Sequence, residues 1–107
     1  MQYIAFDFET SGLPEGRRNV AITHDTLKNF DTCRAVSLSA ARFSSKGRLV
    51  DTFDAVVFPD NFQIGEKSIE VHGITQEHAE KVGRPFTEVF TDFVKFIGPR
   101  TTTLVAH

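Results

Sequence analysis

Asp7 and Glu9 stand two residues apart near the amino terminus, in the run Gln2-Tyr3-Ile4-Ala5-Phe6-Asp7-Phe8-Glu9. Side chains alternate along an extended strand, so these two carboxylates point to one side while Ile4, Phe6 and Phe8 point to the other. Carboxylates so placed suit a hard divalent cation, Mg2+ or Mn2+, which prefers oxygen ligands and keeps positions open for water and phosphate oxygens. Two acids alone make a weak, open site. With further carboxylates from other elements, two ions can be held about 3.5–4 Å apart, an arrangement that activates water and stabilises in-line displacement at phosphorus. The plainer reading of an Asp-x-Glu pair is two solvent-facing acids at the mouth of a strand, and the pair by itself leaves both readings open.

The elements that must position this pair are legible in the hydrophobic pattern. A buried strand from Gln2 to Glu9 is ended by Thr10-Ser11-Gly12-Leu13-Pro14, where Gly and Pro suit a turn and not a continued ladder. Residues 15–34 are polar, lack a clear period and are long for a strand-to-strand connection. They are expected to form an ordered but mobile surface loop, with a helical turn near Asp25 to Phe30. Ala35–Phe43 and Leu49–Phe58 read as a hairpin turned by Ser44-Ser45-Lys46-Gly47. Short helices are expected over Ser68–Val71 and Thr75–Val82, with Thr75 as N-cap. After Pro85, the residues Phe86, Val89, Phe90, Phe93, Val94 and Ile97 recur at helical spacing, and Gly98-Pro99 stops the helix. The stripe predicts core packing for Phe86, Phe90 and Phe93. Thr101–Ala106 reads as a last strand, placed beside the first so that the first is covered. The expected architecture is α/β, a mixed sheet with helices packed on it, in one domain.

Composition narrows the function classes. The chain has 107 residues, 12 Lys and Arg against 14 Asp and Glu, and a formal charge of -2, so no global positive field draws in a polyanion. Nucleic acid would be held by local groups or by metal ions. Eleven Phe and no Trp predict a Phe-rich core. Cys33 is the one cysteine, which excludes an internal disulfide and a cysteine-rich zinc site. It reads as a buried small side chain in a reducing compartment. An acid as early as Asp7 is too early for a signal peptide, and no apolar run is long enough to span a bilayer, so a cytoplasmic protein without membrane contact is expected.

Three stretches taken in order carry more than the acid pair does: Phe6-Asp7-Phe8-Glu9-Thr10-Ser11-Gly12-Leu13, His72-Gly73-Ile74-Thr75 and Leu104-Val105-Ala106-His107. They resemble the first exonuclease motif, the His-Gly-Ile-Thr segment and the start of the second exonuclease motif of the DnaQ-like (DEDD) 3′–5′ exonucleases, the group containing the proofreading subunit of bacterial replicative polymerase. The resemblance spans nearly the whole chain. It implies an RNase H-like fold and removal of nucleotides from the single-stranded 3′ end of DNA or RNA with two Mg2+ or Mn2+ ions. Asp7 and Glu9 match the first two metal-ligand acids of the family. Thr10 matches a position that contacts the terminal nucleotide, Leu13 one that wedges the last bases apart, and His72 the turn that approaches the bound nucleotide. Apart from the family, His72 reads as a helix-terminus histidine bonded to backbone, and His24 and His78 as plain surface residues.

In the family the second motif continues past Val-Ala-His to an Asn and a metal-binding Asp, and a third motif supplies the general base and a last Asp. Here His107 is the only polar member of the second motif. Residues 1–107 are therefore expected to form an incomplete exonuclease domain, an RNase H-like sheet truncated after its fourth strand and inactive alone, with a polymerase or a second chain as protein partner. The alternative is a non-catalytic nucleic-acid-binding or protein-interaction module built on the front half of the same fold.

Overall fold

A computed structural model describes residues 1–15, 21–99 and 101–107. Part of the expected 15–34 loop, residues 16–20, lies outside the described residues, as does residue 100. The elements run β1 (Gln2–Thr10), a 3-10 turn (Leu27–Phe30), β2 (Ala35–Phe43), β3 (Leu49–Val56), α1 (Glu66–His72), α2 (Gln76–Val82), α3 (Phe86–Ile97) and β4 (Thr102–Ala106). The sheet has the order β3-β2-β1-β4, antiparallel from β3 to β1 and parallel between β1 and β4. This is a mixed α/β sheet with helices packed on it, of the RNase H-like kind, and β4 lies beside β1 as the pattern required.

Ile4, Phe6 and Phe8 of β1 meet Leu38, Ala40, Ala55, Val57, Val89 and Phe93 in the main core beneath α3. Phe93 is its hub, with ring centroids 5.7 Å from Phe6 and 5.8 Å from Phe53. A second cluster of Val36, Ile64 and Ala79, flanked by Val56, Phe62, Ile69 and Ile74, seats α1 and α2. Arg42 ties the far end of α3 to the sheet: its guanidinium donates to the Phe96 carbonyl and, at 3.1 Å, to Gln2 Oε1, and lies over the Phe96 ring. A cation there meets the carbonyls that a helix leaves unpaired at its C-terminus.

The structure corrects three expectations. Phe86 and Phe90 are 43% and 45% exposed and stack on each other at 5.8 Å, so only Val89 and Phe93 of the stripe are buried. The apolar stripe is wider than the strip of sheet beneath it. Cys33 is half-buried instead of buried. β3 ends at Val56, not Phe58: Val57 still donates its N–H to the Val36 carbonyl of β2 at 2.8 Å, but it also bridges Arg84, whose N–H donates to the Val56 carbonyl at 3.0 Å and whose carbonyl accepts from Phe58 at 2.8 Å. Thr75 caps α2 as expected, its hydroxyl accepting from the His78 N–H at 3.1 Å.

Candidate metal site at the end of the first strand

Unbroken pairing from Tyr3↔Phe43 to Glu9↔Ser37 keeps β1 in strict alternation, so Asp7 and Glu9 share the face opposite α3. Two residues apart, they are spaced about 7 Å along the strand. Asp7 is in register with Ser39 and Glu9 with Ser37, and the ladder shifts register between Glu9 and Thr10, just where the two acids end. Such an irregularity bends the strand and re-aims the residues beyond it. His107 comes directly after β4, donates its N–H to the Phe6 carbonyl at 3.0 Å, and so stands across from Asp7. Its Nδ1 lies 3.6 Å from Asp7 Oδ2, with the His107 side chain 91% exposed and that of Asp7 40%. At that distance and exposure the pair contributes little energy.

Thr10 ends β1 with its hydroxyl donating to the Gly12 carbonyl at 3.0 Å. Its own carbonyl lies 3.1 Å from His72 Nε2, at the last residue of α1. The Ile74 N–H donates to His72 Nδ1 at 3.0 Å, which makes Nδ1 the acceptor, so the proton sits on Nε2 and is donated to Thr10. Both ring nitrogens are thus used within the chain, and His72 fastens the α1 turn to the end of β1. Leu13 stands apart at 85% exposure, its carbonyl accepting from the Thr32 hydroxyl at 2.9 Å. The fold therefore brings together Asp7 with His107, and Thr10 with His72, and leaves Leu13 in solvent.

Asp7 and Glu9 fit a hard divalent ion in donor chemistry and in sharing an open face. They fit as part of a donor set: among the described residues, no group of three or more His, Cys, Asp and Glu is arranged to hold a metal.

No family model and no curated protein sequence matches the chain. Solved structures do. E. coli exonuclease I in complex with a 5cy-dA13 oligonucleotide superposes with a TM-score of 0.73 at 18% identity, over 99% of this chain and 20% of that one. The product-bound structure of exonuclease I gives 0.73 at 18%, over 99% and 22%, and the metal-free form of the E. coli complex with single-stranded DNA gives 0.73 at 18%, over 99% and 20%. The chain shares its fold with exonuclease I. It spans about a fifth of the length of the exonuclease I chains it matches.

Within this exonuclease I fold, sequence reading passed over Ser11. It is 4% exposed and joins three segments: its hydroxyl donates to the Thr32 carbonyl at 3.0 Å and accepts from the Arg34 N–H at 2.9 Å, while its carbonyl accepts from the Gly65 N–H at 2.8 Å. Gly12 is required beside it, because a Cβ there would sit 2.7 Å from the Thr32 carbonyl oxygen. Ser11 fixes how the chain leaves the strand that carries the acids. A second omission is Ser39, whose hydroxyl donates to Asp54 at 2.8 Å on the same face as Asp7. Alternation in β2 was the available signal. A groove of about 560 Å3, lined by Phe30, Arg34, Val57, Phe58, Phe62 and Phe86 among others, holds none of the candidate site residues.

Proposed function

We propose that these residues form the first part of a divalent-metal-dependent 3′–5′ exonuclease domain that hydrolyses phosphodiester bonds from the single-stranded 3′ end of DNA or RNA. The observation that carries the reading is the pair Asp7 and Glu9 on one face at the end of the central strand, with His107 beside Asp7, in a fold shared with exonuclease I. Mg2+ or Mn2+ ions, when bound, supply activation of water and neutralisation of the charge that develops at phosphorus. Asp7 and Glu9 are the chain's ligands for them, and the remaining ligands lie outside this set of residues. Thr10 binds the terminal sugar: its hydroxyl, already donating to Gly12, keeps lone pairs to accept from a sugar hydroxyl. Leu13, exposed beyond the turn, packs against the last base. His72 positions the strand end, and His107 borders the site.

The reading is tested with a 3′-labelled single-stranded oligonucleotide and Mg2+. The 107-residue chain alone is expected to leave it intact. A longer polypeptide that also carries the remaining acids is expected to shorten it from the 3′ end, and Asp7→Ala in that polypeptide to abolish the shortening. A longer polypeptide that stays silent while binding the oligonucleotide would replace this reading with that of a non-catalytic binding module.

A further inference from the structure

Two polar residues among those described are buried, Ser11 at 4% exposure and Ser37 at 5%. The Ser11 hydroxyl both donates and accepts within the chain. That of Ser37 makes no hydrogen bond to any described residue, although it is not sealed from solvent. A polar group held so far inside usually has a partner, so a hydroxyl left without one needs a reason.

Its place in the sheet supplies one. Ser37 stands in register with Glu9 on β1 and with Val56 on β3. Residues directly opposite in an antiparallel pair have Cβ atoms about 4.5–5.5 Å apart, a gap that a hydroxyl and a carboxylate on one face can close. Val56 offers no acceptor. Along β2, Ser39 on the same face has already given its hydroxyl to Asp54 at 2.8 Å. Glu9, half-buried, makes no side-chain hydrogen bond or ion pair with any described residue. The last two polar side chains before the register shift at Glu9/Thr10 are thus unpaired and opposite each other, whereas Asp7, two residues back, meets His107.

We infer that Ser37 positions Glu9 for the ion, its hydroxyl donating to the carboxylate oxygen that is not bound to metal. This rests on the reading of Asp7 and Glu9 as ligands for Mg2+ or Mn2+. A carboxylate that ligates through one oxygen is itself hydrogen-bonded by the residues around it, and those bonds set its orientation. Glu9, with a longer side chain than Asp7, has more to gain from being held. Ser37 is the donor that the sheet sets against it, on a strand fixed by pairing to β1 on one side and to β3 on the other.

The test is Mn2+ titration of the 107-residue chain followed by NMR line broadening, with the Tm of the metal-free protein read by circular dichroism. Ser37→Ala is expected to weaken Mn2+ binding at Asp7 and Glu9 about tenfold while leaving Tm no lower, because no bond within the chain is lost. Ser37→Thr, which keeps the hydroxyl and suits a strand, is expected to bind as the wild type does. Wild-type affinity in Ser37→Ala overturns the inference. So does a weakened affinity that comes with a lowered Tm and is not restored in Ser37→Thr, which would make Ser37 a packing residue. Absence of broadening at Asp7 and Glu9 in the wild type is a different result: it removes the metal reading itself, and this inference with it.

Discussion

His72 Nε2 donates to the Thr10 carbonyl across 62 positions of sequence, at 3.1 Å, and this bond fastens the α1 turn to the end of the strand that carries Asp7 and Glu9. Replacing His72 by Ala leaves that carbonyl and the Ile74 N–H without partners in a half-buried place. The expected cost is about 1–3 kcal/mol in urea denaturation. Nitrogen-detected NMR of the wild-type imidazole should show the proton on Nε2. A proton on Nδ1 would contradict the tie to Ile74.

Gly83 is held to glycine by proximity, not by backbone angle. A Cβ there would lie 2.3 Å from the Ala79 carbonyl oxygen and 2.6 Å from the Phe58 nitrogen, both backbone atoms that cannot swing aside. Gly83→Ala is expected to destabilise by about 1–3 kcal/mol, the usual range for overpacking. In a domain of this size each 1 kcal/mol lowers Tm by about 4–8 °C. An unchanged melting curve would mean that the junction of α2 with Phe58 is looser than described.

Within α3, two Phe residues should behave differently. Phe93 is 4% exposed at the centre of the main core, so Phe93→Ala is expected to cost about 3–5 kcal/mol. Phe90, 45% exposed, should cost well under half of that when changed to Ala. Equal losses in chemical denaturation would show that Phe90 is covered in solution.

Much of this architecture was legible in the residues. Alternation gave β1, β2 and the shared face of Asp7 and Glu9, and the three-and-four spacing after Pro85 gave α3. Periodicity did not reveal how far the sheet extends under that helix, so it assigned Phe86 and Phe90 to a core that only Val89 and Phe93 enter. The shared face of the candidate pair Asp7 and Glu9 was legible because both lie within one strand. The ties made through space were not: Ser11 to Thr32, Arg34 and Gly65, and His72 to Thr10, join segments whose proximity depends on the completed fold.

Arg84 gives the chain a pH signature. It donates to Glu88 at 2.7 Å and to Asp92, and the hydrogen bond from Arg84 holds the Asp92 carboxyl below its ordinary range, while Asp92 and then Glu88 raise Arg84. A carboxyl lowered in the folded state contributes stability that is full above its unfolded pKa and is lost as pH falls through the folded value. Stability should therefore decline on acidification below the usual Asp range, and Asp92→Asn should flatten that part of the profile. Both side chains are about 40% exposed, so added salt should shrink the effect. Loss on the Arg84 side falls only in strongly alkaline solution.

The central claim is that Asp7 and Glu9 share a divalent ion, and Mn2+ titration monitored by NMR tests it most directly, because the paramagnetic ion broadens resonances near where it binds. One weak site is predicted, with affinity of about millimolar as suits two carboxylates on an open face, broadening centred on Asp7, Glu9 and His107, and loss of that pattern in Asp7→Asn. Broadening centred on Asp51 and Asp54, or a pattern that Asp7→Asn leaves unchanged, would contradict it.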